Sequence, residues 1–182
     1  MADLFSPLVI TGKELPNRIV MAPVPSGYAN ADGFVPDELV AHYKRLAAGG
    51  VGLIISEPIL IARAADGPAV NHLGLYHDAF IPGLRRLSNS IRPYHGRLLL
   101  SLEAPPELDP LSVNPVLVCR QFLFAAWRAL AAGADGIMLS SADGGILHQL
   151  LSPLTNQRGD QYGLVLSGRI RLALEIIDAI RT

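Results

Sequence analysis

The densest grouping of chemistry-bearing side chains is Ser140-Ser141-Ala142-Asp143-Gly144-Gly145, followed closely by His148. A serine, a carboxylate and an imidazole are the parts of a hydrolytic triad, in which the nucleophile touches a base that a third group orients. The spacing does not specify one, because neither serine stands in a Gly-x-Ser-x-Gly turn. Polar turn residues capping a short helix are the plainer reading of this segment. Asp143-Gly144-Gly145 also offers successive amides to an anion, since glycine permits close backbone approach. Glu57 closes an apolar run and reads either as a buried functional carboxylate or as a structural acceptor for loop amides. His42, His72, His77 and His95 include no close pair at metal-ligand spacing, so no metal site is expected.

The elements that must position these residues follow from the hydrophobic pattern. Apolar runs short enough for buried strands recur at residues 18–22, 51–56, 97–102 and 136–140. Each precedes a helical pattern, at 37–48, 78–91, 116–132 and 168–181. The first helix begins after Pro36 and stops at Gly49-Gly50, the second ends before Pro93, the third closes at Gly133, and Ser167 is the expected N-cap of the fourth. Near-continuous apolar strands alternating with helices indicate parallel β/α units in one α/β domain spanning residues 1–182. The segments after the strands, 23–34, 58–76, 103–114 and 141–166, are long, whereas the helix-to-strand turns are short. In parallel α/β folds ligands bind at the carboxyl ends of strands, so this asymmetry favours a binding or catalytic site there. The third helix carries two apolar stripes: Val118, Phe122, Ala125 and Ala129 form one, and Leu123, Trp127 and Leu130 the other. The second stripe reads as a partner surface or as a face covered by the terminal helix.

Composition limits the function classes. The chain has 182 residues, 50% of them hydrophobic and only 17% charged, with a formal net charge of -1. That balance offers no general attraction to nucleic acid or acidic lipid. A single cysteine, Cys119, rules out an intrachain disulfide and a cysteine metal cluster, and fits a reducing, cytoplasmic setting. The longest apolar run is interrupted by Glu57 and Pro58, so no membrane span is expected.

Three stretches together resemble the Old Yellow Enzyme family of NAD(P)H:flavin oxidoreductases. They are Leu4-Phe5-Ser6-Pro7-Leu8 running to Asn17-Arg18-Ile19-Val20-Met21-Ala22-Pro23; Gly49-Gly50-Val51-Gly52-Leu53-Ile54-Ile55-Ser56-Glu57; and Leu151-Ser152-Pro153-Leu154-Thr155-Asn156-Gln157-Arg158-Gly159-Asp160-Gln161-Tyr162-Gly163 followed by Arg169. The resemblance spans nearly the whole chain, although the segment from Glu103 to Asn114 is much shorter than the family's loop there. It implies a (β/α)8 TIM-barrel type fold of which this chain holds the first four β/α units. It also implies FMN at the carboxyl end of the barrel and hydride supplied by NAD(P)H to an activated alkene.

Carried over residue by residue, the resemblance places Ala22, Pro23 and Val24 beside the flavin ring, with Pro25 at the position that often tunes it. Pro58 stands where a small residue donates its amide, and Ser101 where a glutamine reaches the pyrimidine edge. Ser140 and Asp143 replace the pair that polarises the substrate carbonyl, and Gly145 replaces a proton-donating tyrosine. Proline has no N–H, serine reaches less far than glutamine, and an ionised Asp143 repels charge developing on a carbonyl oxygen. The family's FMN phosphate is held by the second half of the barrel. The expectation is therefore an FMN-linked oxidoreductase homologue of ene-reductase type, incomplete or dependent on a homo-oligomer or a second half-barrel chain. The alternative is a non-redox binding or regulatory protein, or a lyase or cyclase, acting on a small molecule in the same cavity.

Overall fold

The computed structural model describes residues 3–63, 72–142 and 144–182. Four strands, β3 (Val20–Met21), β4 (Leu53–Leu60), β6 (Arg97–Glu103) and β7 (Gly136–Leu139), pair in that order, all in parallel. A two-residue strand, β5 (Leu73–Gly74), extends the far end of β4, also in parallel. The helices α1 (Asp37–Ala48), α2 (Ile81–Ile91), α3 (Pro115–Ala131) and α6 (Arg171–Arg181) follow β3, β4, β6 and β7 in turn. Two short helices, α4 (Ile146–Leu151) and α5 (Leu166–Arg169), lie between β7 and α6. This is the four-unit β/α order expected from the sequence.

Local chemistry accounts for the boundaries. In α1, Asp37 and Glu38 occupy the first turn and Arg45 the last, each complementing the helix dipole. Asn114 caps α3: its Oδ1 accepts from the amides of Val116 and Leu117, and Pro115 sits in the first turn, where a missing N–H costs nothing. In β6, Leu98, Leu100 and Leu102 are buried in the core, so Arg97, Leu99, Ser101 and Glu103 alternate onto the opposite face. The core that fixes the sheet against its helices includes Leu39 and Tyr43 of α1, Leu84 and Leu87 of α2, Phe122 of α3 and Ile176 of α6. The stripe Val118, Phe122, Ala125 and Ala129 is buried, whereas Trp127 and Leu130 stay 57% and 75% exposed, so the terminal helix does not cover them.

Several elements depart from the sequence expectation. The strand expected to end at Ser56 continues to Leu60, so Pro58 lies inside β4 and not in a loop. The register against β6 jumps between Ile55 and Pro58, and that irregularity lets a proline sit in a paired strand. Ser167 caps nothing: α5 starts at Leu166 with Val165 as its N-cap residue, and Ile170 separates it from α6. The helix expected from residue 78 begins as a 3-10 turn, Asp78–Phe80, before α2. An antiparallel hairpin of β1 (Leu8–Ile10) and β2 (Lys13–Leu15) precedes the sheet and was not expected. It lies at the amino ends of the strands, where Ile10, Lys13 and Leu15 face Leu53, Leu99 and Gly136 around a cavity of about 230 Å³. Asp135 ties it down by accepting from Leu98 N–H (3.0 Å) while pairing with Lys13 (3.4 Å) and Arg97 (3.3 Å). Among the described residues no helix is long and apolar enough to cross a membrane.

Candidate active site

The site is organised by the irregularity in β4. Where the strand slips register, two consecutive residues, Ser56 and Glu57, are both buried, with exposures of 0% and 2%. Ser56 Oγ accepts the Ser101 N–H at 2.9 Å and donates to the Glu57 carbonyl at 2.8 Å. The Glu57 N–H donates to Tyr43 Oη at 2.8 Å, and the Glu57 carboxylate accepts the Ser26 N–H at 3.1 Å. Tyr43 is fully buried in α1, and burial, aided by the charge of Glu57, pushes its phenol pKa well above the usual value. Of the two readings open for Glu57, the acceptor for loop amides is the one its contacts display.

This arrangement gathers most of the residues singled out from the sequence at one end of the sheet. Ala22, Pro23 and Val24 leave the carboxyl end of β3, Ala22 and Val24 exposed and Pro23 half-buried. Pro58 pairs with Ser101 across β4 and β6, and Ser101 pairs with Met138 across β6 and β7. Ser140 follows directly on β7, its N–H donating to Leu102 O at 3.2 Å. Asp143 lies outside the described residues. Pro25 and Pro58 contribute no N–H to this end of the sheet, whatever else they shape.

Ser101 is the unusual member of the group. Its side chain is 1% exposed, and its Oγ has no hydrogen-bond partner among the described residues. A buried hydroxyl left without a partner costs about 1–3 kcal/mol, and such a group calls for an explanation.

In the segment after β7, one of the residues read from the sequence has a visible partner. His148 Nδ1 accepts the Gly144 N–H at 3.3 Å, so the imidazole serves the turn that starts α4, the structural role weighed against a triad. Gly145 precedes α4, and a Cβ built on it would lie 3.1 Å from Glu103 Oε1, so the carboxylate of Glu103 occupies the space beside it. Glu103, Ser56 and Tyr43 were not found by sequence reasoning. Period-two alternation from Ser101 would have placed Glu103 on the same face, but no pattern forecasts a hydroxyl accepting across a bulge.

The segment from Asn156 to Gly163 is a rigid bracket for this end of the molecule. Asn156 Nδ2 donates to Leu150 O (2.6 Å) and Tyr162 O (2.8 Å). Arg158 Nη1 donates to the carbonyls of Pro110 (2.9 Å), Leu111 (3.3 Å) and Val113 (3.1 Å), while its Nε reaches Asp160 at 3.0 Å. It thereby clamps the short segment between β6 and α3 to the segment after β7. The Arg158 guanidinium holds the Asp160 carboxyl below the usual carboxylate range.

Comparison with known proteins places this geometry. The sequence profile described as the NADH:flavin oxidoreductase / NADH oxidase family matches residues 3–108 and 116–182. The interruption falls in the short segment that Arg158 clamps. An NADPH dehydrogenase of Listeria monocytogenes serotype 4a is 34% identical over 206 residues, covering 100% of this chain and 60% of that protein. A metal reductase of Desulforamulus reducens is 34% identical over 209 residues, covering 100% of this chain and 30% of that protein. The solved structure of morphinone reductase superimposes with a TM-score of 0.86 at 25% identity, covering 98% of this chain and 58% of that one. The chain thus spans less than two thirds of the length of these relatives.

Proposed function

Because the chain belongs to the NADH:flavin oxidoreductase / NADH oxidase family, with the fold of a partial TIM barrel, we propose that it supplies the ring-binding half of an FMN-dependent NAD(P)H oxidoreductase site. The observation that carries this reading is the buried hydroxyl of Ser101, without a partner among the described residues, at the position where the family resemblance puts the contact to the flavin pyrimidine edge. The residues present fit the ring: the main chain of Ala22–Val24 and the Ser101 hydroxyl would hold it. When bound, FMN supplies hydride transfer from NAD(P)H to an acceptor.

The chain's own residues define what the site does. The backbone after β3 and the Ser101 hydroxyl orient the ring, and Ser140 offers one hydroxyl to the acceptor. Gly145 has no acid to give, which removes the proton donor of an ene-reductase from its usual place. The FMN phosphate would be held outside these four β/α units, across the edges of β3 and β7 that pair with no strand among the described residues. The acceptor is a small molecule.

A non-redox use of the same site, as a binding or regulatory protein or as a lyase or cyclase, is favoured by Ser140 and Asp143 standing in place of the carbonyl-polarising pair. The test is anaerobic mixing of the FMN-saturated protein with NADH or NADPH. Bleaching of the flavin absorbance supports the redox reading, and an unbleached flavin supports the non-redox one.

A further inference from the structure

We propose that Ser56 and Glu57, the two residues at the register slip of β4, are positioning residues that set the flavin-facing backbone from both sides. The proposal rests on the reading just given and names what holds that site in shape. In a regular parallel ladder the Ser101 N–H bonds to a carbonyl of the neighbouring strand. Here it bonds to the Ser56 hydroxyl at 2.9 Å, so the placement of Ser101 depends on a side chain. In the other direction the Glu57 carboxylate reaches the Ser26 N–H at 3.1 Å and draws the segment that follows Ala22–Pro25 onto the strand ends. Both side chains are buried and serve opposite neighbours, Ser56 the backbone of β6 and Glu57 the segment after β3. Tyr43 holds the slip from behind, accepting the Glu57 N–H at 2.8 Å. Neither Ser56 nor Glu57 occupies a position assigned to the ring, and each acts through the residue it bonds.

The experiment compares the intact chain with Ser56→Ala, Ser56→Thr, Glu57→Ala and Glu57→Gln. Affinity is measured by fluorescence for FMN and for lumiflavin, which carries the ring without the phosphate. Amide hydrogen exchange is followed at Ser26 and Ser101. Ser56→Ala and Glu57→Ala are expected to weaken both flavins about tenfold, the size of one lost buried hydrogen bond. Ser56→Thr and Glu57→Gln, which keep an acceptor oxygen, are expected to restore most of it. Exchange should accelerate at Ser101 in Ser56→Ala and at Ser26 in Glu57→Ala, a residue-by-residue pairing that general destabilisation does not produce. If Glu57→Ala does not fold, the contrast between Ser56→Ala and Ser56→Thr carries the test. Unchanged lumiflavin affinity in folded variants, or no rescue by the conservative substitutions, overturns the positioning role alone. Failure of the unaltered chain to bind either flavin overturns the functional reading and this proposal with it.

Discussion

The Ser56 hydroxyl stands in for a strand carbonyl, accepting the Ser101 N–H at 2.9 Å across the register slip of β4. The Ser101 side chain, held there, is the one with a buried oxygen lacking any partner among the described residues. The backbone there is satisfied while the hydroxyl is not, and a buried polar atom in that state calls for an explanation.

Tyr43 gives a prediction about alkaline stability. Its phenol is buried and its folded-state pKa is raised above the ordinary 10.0, first by desolvation and then by the charge of Glu57. A raised folded-state pKa contributes stability that is fully present below the unfolded value and is lost as pH climbs through and beyond it. Urea denaturation should therefore show stability falling from about pH 10 upward, and Tyr43→Phe should flatten that fall. At pH 7 the same substitution leaves the Glu57 N–H without its acceptor and should cost about 1–3 kcal/mol.

Arg158 predicts a non-conservative lysine. Its planar fork serves three carbonyls of the segment between β6 and α3 together with Asp160. A lysine offers one compact ammonium and cannot span them. Limited proteolysis should cut Arg158→Lys faster than the unaltered chain, with new cleavage between residues 104 and 114. Because the Asp160 pKa is lowered, first by its hydrogen bond to Arg158, the contribution of this pair is present above the ordinary 3.8 and fades as pH falls below it. Acid denaturation of Asp160→Asn should lack that component.

Gly163 predicts a steric failure. A Cβ built at this position collides with the carbonyl oxygen of Arg158, which belongs to backbone and cannot swing aside. Gly163→Ala should destabilise the chain by about 1–3 kcal/mol, the usual range for overpacking, visible as a lower melting temperature. Gly159→Ala, where a Cβ meets nothing within 4 Å, is the matched control and should melt near the unaltered chain.

The β/α order was readable because buried parallel strands produce runs of Val, Ile and Leu with little alternation, as in residues 51–56 and 97–102. The strand read at residues 18–22 is narrower, pairing with β4 at Val20 and Met21, and the hairpin Leu8–Leu15 was not legible because a long-range ion pair between Lys13 and Asp135 helps to hold it. Pro58 looked like a strand end because proline removes a ladder donor, and only the register slip admits it. At the site, the positions of Ala22–Val24 and Ser101 came from family resemblance. The bonds that hold them, Ser56 to Ser101 and Glu57 to Ser26, join residues 45 and 31 positions apart and leave no trace in local periodicity.

The most direct test of the account is the visible absorption spectrum of the purified chain after incubation with FMN and gel filtration. The account predicts that flavin comigrates with an oligomeric species or with a complex containing a second half-barrel, and that its absorbance bands are perturbed relative to free FMN by the contacts at Ala22–Val24 and Ser101. A colourless protein peak, both alone and with the complementary half-barrel present, would contradict it and leave the strand-end site to non-redox chemistry.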